Sequence, residues 1–234
     1  EEFLSGIEVS YFAYTDGNDY VLLPEAKDYK KIGEGDTGLN TGGMGSISPV
    51  PFCDTDFTDK VVKRIVEPTI EGLKQDGIHY HGFIFFGLMN VNDEPYVIEY
   101  NVRLGDPETE AILPRIKSDV LEMFIAAQNG NLSEYKIQTT PFVAASVMLV
   151  SGGYPETYEK GKEINQLKEI DDSLLLHAGT KIIDGKVVTS GGRVMAITSI
   201  KSSMKEALEV SMKNAEMIKF DKKYYRKDIG FDLK

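Results

Sequence analysis

Apolar and polar positions change period along the chain, and the changes mark its elements. Residues 7–14 alternate and are β-prone, as are residues 20–23, and the intervening Asp16-Gly17-Asn18-Asp19 has the chemistry of a tight turn, so an antiparallel hairpin is expected. Residues 24–51 are polar and glycine-rich and read as one long loop. From 54 to 77, Val61, Val62, Ile65, Val66, Ile70 and Leu73 recur at helical spacing, with Gly77 as the stop and Pro68 placed to kink or divide the helix. Residues 82–91 and 96–101 form a second hairpin through Asn92-Asp93-Glu94-Pro95. Asp106-Pro107 reads as an N-cap with proline at the first helical position, and Val120, Leu121, Phe124, Ile125 and Gln128 mark one face of a helix that Gly130 ends.

Residues 131–140 carry no pattern, which places a domain boundary there and divides the chain into 1–137 and 138–234. Beyond it, strands are expected at 142–150, 174–183 and 193–199, with a hairpin turn at Asp184-Gly185. Ser203 to Glu206 is a capping box, after which Met204, Ala207, Leu208, Ser211, Ala215 and Ile218 line a final helix. The fold class is α+β: an antiparallel sheet with helices, then a smaller α+β unit.

With 26 Lys+Arg against 37 Asp+Glu the net charge is −11. That argues against a nucleic-acid partner or an anionic membrane surface, so any anionic ligand must be held locally. The longest apolar run, 142–150, is far short of the roughly 18 residues that a membrane span needs. The lone Cys53 forms no internal disulfide, which points to a reducing, cytoplasmic compartment. The chain opens Glu1-Glu2-Phe3-Leu4 and runs straight into a strand, as the middle of a larger protein would.

Two segments carry candidate chemistry. In Ile98-Glu99-Tyr100-Asn101-Val102-Arg103, strand alternation puts Glu99, Asn101 and Arg103 on one face and Ile98, Tyr100 and Val102 on the other. A carboxylate and an amide oxygen are hard donors suited to Mg²⁺, and Arg103 could clamp a phosphate or carboxylate. The plainer reading is a solvated polar face. In residues 33–45, the glycine-dense GEGDTGLNTGGMG could turn several N–H groups toward one anion, or be a flexible surface loop. It matches neither a P-loop nor a dinucleotide fingerprint. His79 and His81 have no third zinc ligand at suitable spacing, and Lys222 to Lys227 reads most simply as a solvated basic face that could also supply cations to a phosphate.

Together, Asn40-Thr41-Gly42-Gly43-Met44-Gly45, the run Glu99-Tyr100-Asn101-Val102-Arg103-Leu104-Gly105-Asp106-Pro107-Glu108, and Arg226-Lys227-Asp228-Ile229-Gly230 resemble the phosphoribosylamine-glycine ligase (glycinamide ribonucleotide synthetase) family of ATP-grasp enzymes. Gly152-Gly153-Tyr154-Pro155, His177-Ala178-Gly179-Thr180 and Gly191-Gly192-Arg193-Val194 resemble its C-terminal domain, so the likeness runs the whole length. It implies a partial ATP-grasp domain in 1–137 and the C-terminal domain in 138–234, with the family's amino-terminal domain and lid, roughly the first two fifths, lying outside this chain.

The implied reaction joins glycine to 5-phosphoribosylamine with ATP, through glycyl phosphate, as an early step of purine synthesis. Glu99 and Asn101 would hold Mg²⁺ or Mn²⁺; Arg103 and Asp28 would act on the reacting groups. Glu1, Phe3, Leu4 and Glu8 would line the adenosine pocket. Asn40, Thr41, Gly42, Gly43, Met44 and Gly45, with Asp106, Glu108, Arg193 and Arg226, would bind the phosphate-bearing and carboxylate-bearing substrates. The implied enzyme is cytoplasmic and monomeric, has the amino-terminal portion of the same enzyme as its partner, and is inactive as this chain alone. The chain departs from the family's usual pattern at Lys27-Asp28-Tyr29-Lys30-Lys31, Leu39 and Leu104, and Phe85 to Met89 offers no acidic metal ligand. Two rivals compete: another ATP-grasp carboxylate-amine ligase, separated by products formed with glycine, and a non-catalytic nucleotide-binding module, separated by turnover.

Overall fold

In the computed structural model, which describes residues 2–233, the first alternating segment becomes the strand Ile7–Thr15. It pairs antiparallel with Tyr20–Leu22 on one side and with Gly82–Val91 on the other, and Gly82–Val91 pairs with Glu94–Asn101 to complete a four-stranded sheet. Asn92 and Asp93 both take positive φ, at 53° and 63°, as a two-residue hairpin turn requires. The last strand therefore starts at Glu94, two residues earlier than the pattern suggested.

Val9, Tyr11, Ala13, Ile84, Phe86 and Leu88 bury one face of this sheet. The helical segment covers it: Tyr11 meets the Phe57 ring at 6.4 Å, and its hydroxyl lies 3.0 Å from Thr58 Oγ1. Asp54 caps this segment by accepting from the Phe57 N–H at 2.8 Å. Pro68 does divide it, because a proline has no N–H for the ladder. A π turn, Val62–Val66, separates helix Thr55–Val61 from helix Glu67–Gln75, with Pro68 in the first turn of the latter.

On the opposite face, Tyr14 stacks with Phe83 at 4.9 Å and with Phe124 of helix Val120–Gln128 at 5.0 Å. The inner stripe of that helix is Met123 and Ala127, whereas Leu121 and Ile125 are exposed. Its apolar stripe is wider than the side that packs, so periodicity alone did not single out Met123 and Ala127 as the buried positions.

A second sheet has five strands in the order Leu174–His177, Arg193–Lys201, Val143–Val150, Gly45–Ser48 and Lys27–Asp28. Its core gathers Val147, Leu149, Val194, Ile197, Ala215 and Ile218, with helix Met204–Met217 on one side. Two expectations are corrected here. The supposed loop 24–51 contains Gly45–Ser48, a fully buried strand beside Val143–Val150, and a small hairpin of Lys31–Gly33 with Thr37–Asn40. Its glycines and serines hid a core strand behind a polar composition. The supposed strand 174–183 breaks at Ala178 and Gly179, whose N–H groups donate to Val194 O and Arg193 O. Thr180–Ile183 then leaves to pair with Lys186–Thr189.

By packing, the chain forms two units that are discontinuous in sequence: Glu1–Lys27, Pro49–Gly105 and Arg115–Thr140 in one, Asp28–Ser48, Asp106–Pro114 and Pro141–Lys234 in the other. Strand pairing draws Gly45–Ser48 into the sheet of the C-terminal segment. Among the described residues no helix is long and apolar enough to cross a membrane.

Candidate active site

Strand register builds the first cluster. Glu8 lies opposite Met89 and Met89 opposite Tyr96; one step along, Ser10, Gly87 and Glu99 share a row, and the next row holds Phe12, Phe85 and Asn101. Directly paired residues share a face, so Glu8, Glu99 and Asn101 project from the same side of the sheet. A register shift between Gly87 and Leu88 inserts Ile98, which is how Glu99 and Tyr96 come to share that side. Gly87 makes room for the carboxylate, since a Cβ there would lie 2.8 Å from Glu99 Cγ. Asn101 Nδ2 donates to Glu99 Oε1 at 3.3 Å. Beside this cluster, Phe3, Leu4, Glu8, Met89, Tyr96 and Ile98 line a cleft of about 520 Å³. Arg103 is exposed and donates to Leu104 O at 3.0 Å. Glu1 lies outside the described residues.

The second cluster belongs to the other unit. Gly43 has φ 118°, and a side chain there would overlap Pro107 Cδ and come within 2.7 Å of Asp28 Oδ1. Its missing Cβ therefore lets the glycine loop touch both Asp28 and the turn at Asp106–Pro107, a cis peptide. Pro107 is the N-cap of helix Glu108–Ile112 instead of its first residue, and its carbonyl accepts from Ser46 Oγ at 2.6 Å. Glu108 is buried.

The loop is not the amide cradle that its glycines suggested. The N–H groups of Thr41, Gly42, Gly43 and Met44 donate to Lys30 O, Tyr154 Oη, Thr41 Oγ1 and Tyr29 O, at 2.7, 2.9, 3.0 and 2.8 Å. Four donors that a nest would aim at an anion are satisfied by the protein itself, so the glycines serve close approach.

Arg193 Nη1 donates to Gly42 O at 2.6 Å and to Asp106 O at 2.7 Å, while Nη2 pairs with Asp106 Oδ2 at 3.0 Å. Arg226 has a setting opposite to the solvated basic face expected of residues 222–227. Its side chain is fully buried, paired with Asp36 at 2.6 Å and forked onto Asp228 at 2.8 Å. Sequence reading also passed over Tyr154 and Glu110. Tyr154 stood within a quoted motif without a role, and Glu110 had no signal beyond its place one helical turn after Asp106.

Burial, and then the neighbouring Asp106 carboxylate, pushes the Glu110 carboxyl up to about 7 against the relief that Arg193 gives. A carboxyl raised on folding stabilises the fold in its protonated form; that contribution is complete below the ordinary glutamate value and is lost as pH rises through about 7. Glu110→Gln keeps the neutral shape at every pH. It is expected to exceed the parent in stability at pH 8 by about 1–2 kcal/mol, after discounting for partial exposure, and the gain should shrink toward pH 5.5. Thermal unfolding at both pH values checks this, and equal melting temperatures at pH 8 would refute it.

Comparison with known proteins bears on the family. The family model described as phosphoribosylglycinamide synthetase, ATP-grasp (A) domain, matches residues 1–109, and the model for the C domain of the same synthetase matches residues 144–232. The phosphoribosylamine–glycine ligase of Fusobacterium nucleatum is 45% identical over 234 residues, covering 98% of this chain and 55% of that protein. A bifunctional purine biosynthetic protein of Pichia angusta is 45% identical over 233 residues, covering 98% of this chain and 30% of its own length. The crystal structure of the Thermotoga maritima phosphoribosylamine–glycine ligase superposes with a TM-score of 0.88 at 38% identity, covering 97% of this chain and 56% of that one. The chain thus spans about half the length of the ligases it matches. With an α+β fold, the glutamate–asparagine strand and two models of one family that match residues 1–109 and 144–232, the chain belongs to the phosphoribosylglycinamide synthetase family, carrying sequence of the ATP-grasp (A) domain and of the C domain.

Proposed function

We propose that this chain supplies the metal-nucleotide strand and the substrate loops of an ATP-dependent ligase that joins glycine to 5-phosphoribosylamine through glycyl phosphate, giving glycinamide ribonucleotide, ADP and phosphate. The observation that carries the reading is the common sheet face of Glu8, Glu99 and Asn101 beside the Phe3–Leu4 cleft, in a chain 45% identical to a phosphoribosylamine–glycine ligase.

The donor set fits a divalent ion. The exposed Glu99 carboxylate sits beside the Asn101 side-chain amide, whose oxygen is a second hard donor, and Mg²⁺ binds through one or two carboxylates plus substrate phosphates and water. When bound there, Mg²⁺ or Mn²⁺ neutralises charge on the ATP phosphates. The chain's own groups do the rest: Phe3, Leu4 and Glu8 enclose the adenosine, and Arg103 orients a phosphate or carboxylate. Asp28, Asn40 to Gly45, Asp106 and Glu108 shape the surface against which glycine and the amine meet, so that the reacting atoms approach in one orientation. Arg193 and Arg226 enter through the loops they hold. The same reading assigns residues 1–137 and 138–234 to two family domains and the enzyme to the cytoplasm as a monomer.

The test joins this chain to the amino-terminal part of a full-length relative. Release of ADP that depends on both glycine and phosphoribosylamine is expected, at roughly 1 per second or more. Release that needs a different carboxylate would move the assignment to another ATP-grasp ligase.

A further inference from the structure

Both backbone polar groups of Gly42 are held by side chains from the C-terminal part of the same unit. Its N–H donates to Tyr154 Oη at 2.9 Å, and its carbonyl accepts from Arg193 Nη1 at 2.6 Å. Arg193 does more than hold Gly42. Nη1 also serves the Asp106 carbonyl at 2.7 Å, and Nη2 meets the Asp106 carboxylate at 3.0 Å, so one guanidinium staples the glycine loop to the turn that opens helix Glu108–Ile112.

The two anchors stand on a common frame. Ser151 donates to Gly192 O through its N–H at 2.8 Å and to Gly191 O through its hydroxyl at 2.9 Å, which ties the segment before Tyr154 to the segment before Arg193. The Tyr154 ring packs edge-on against Tyr158 at 6.2 Å. Arg193 begins the strand Arg193–Lys201, whose next residues are core. The strand Arg193–Lys201 thus presents a fork, and the turn after Val143–Val150 a hydroxyl, to the one residue of the loop, Gly42, whose N–H and carbonyl are both held by these side chains.

The geometry points to Tyr154 and Arg193 as positioning residues that fix the Gly42–Gly43 turn against the Asp106–Pro107 turn and thereby set substrate affinity at that loop, without touching substrate themselves. This rests on the function proposed above. It reassigns Arg193 from anion ligand to staple, because Nη1 already serves two carbonyls and Nη2 a carboxylate, which also cancels most of the charge an anion would seek. A lysine could not replace it, since one ammonium cannot span three acceptors as a planar fork does.

Two measurements test the assignment. In this chain, amide hydrogen exchange is followed at Gly42, Gly43 and, as a control, Val147 and Ile197 of the sheet. Tyr154→Phe keeps the ring and removes only the acceptor, and it should speed exchange at Gly42 by about tenfold. Arg193→Lys should speed exchange at both Gly42 and Gly43, with the sheet amides unchanged in either variant. Unchanged exchange at Gly42 in both variants overturns the proposal. In the joined full-length enzyme, the same substitutions should raise KM for phosphoribosylamine about tenfold while kcat stays within about threefold, a split that a loss of folded enzyme would not produce. Faster exchange with an unaltered KM would break the link between the staple and substrate affinity and so overturn it too. A joined enzyme inactive with glycine sinks the functional reading instead, and the exchange rates still decide whether these two side chains fix the loop.

Discussion

Arg226→Ala is expected to cost about 3–5 kcal/mol of stability, the range for a buried ion pair broken on one side only. The side chain is among the largest that are completely buried in the described residues, and its charge is balanced locally by Asp36 on the tip of the Lys31–Gly33 and Thr37–Asn40 hairpin and by Asp228 two residues along. A further donation to Lys31 O at 3.2 Å ties the same hairpin, and the Tyr29 and Phe231 rings flank the guanidinium at 5.4 and 5.7 Å. Removing the cation leaves Asp228 beside Asp36 with no counter-charge and a cavity between two rings. Burial alone would push the Asp228 carboxyl up, yet the Arg226 fork and the Gly35 N–H hold it below the usual aspartate value. That contribution is present above the ordinary aspartate value and fades as pH falls below it, so the difference between parent and variant should narrow in acid. Urea unfolding at neutral pH is the measurement, and a loss under about 1 kcal/mol would mean that the buried pair behaves as a surface one.

The same residue shows where the sequence stopped being legible. Lys222 to Lys227 reads as a basic run, and nothing in it distinguishes the one cation that folds inward from its neighbours; the distinction is made by Asp36, 190 positions away. Elements whose identity depends on local spacing were readable: the two hairpins of the first sheet, the Ser203 cap, and the division of the helix at Pro68. Glu99 and Asn101 could be placed on one face because strand alternation is a local rule. Tertiary demand overrode composition at Gly45–Ser48, where small polar residues fill a buried strand because the neighbour Val143–Val150 approaches closely. The glycine loop misled for a related reason. Glycines permit either exposed amides or close backbone contact, and only the partners of Thr41 to Met44 show that contact is what this loop uses.

Glu99→Gln in the joined full-length enzyme is expected to lower kcat by about 10²–10³-fold, corresponding to about 3–4 kcal/mol of lost stabilisation of the transferring phosphoryl group. Folding should be nearly untouched, because Glu99 is exposed and surface substitutions of matched shape stay within about 0.5 kcal/mol. The amide keeps one oxygen, so a weakened metal site survives; raising Mg²⁺ should recover binding of the nucleotide before it recovers turnover. Gly87→Ala supplies the complementary variant. A Cβ there would press on Glu99 Cγ at 2.8 Å, so the carboxylate keeps its charge but loses its place opposite that residue. If placement matters as well as charge, Gly87→Ala should raise the Mg²⁺ concentration for half-maximal rate while leaving kcat at saturating metal closer to the parent than Glu99→Gln does. Parent-like turnover in Glu99→Gln at limiting Mg²⁺ would put the metal on other residues, and with it would go the reading of the Glu99–Asn101 strand as the nucleotide's metal bridge.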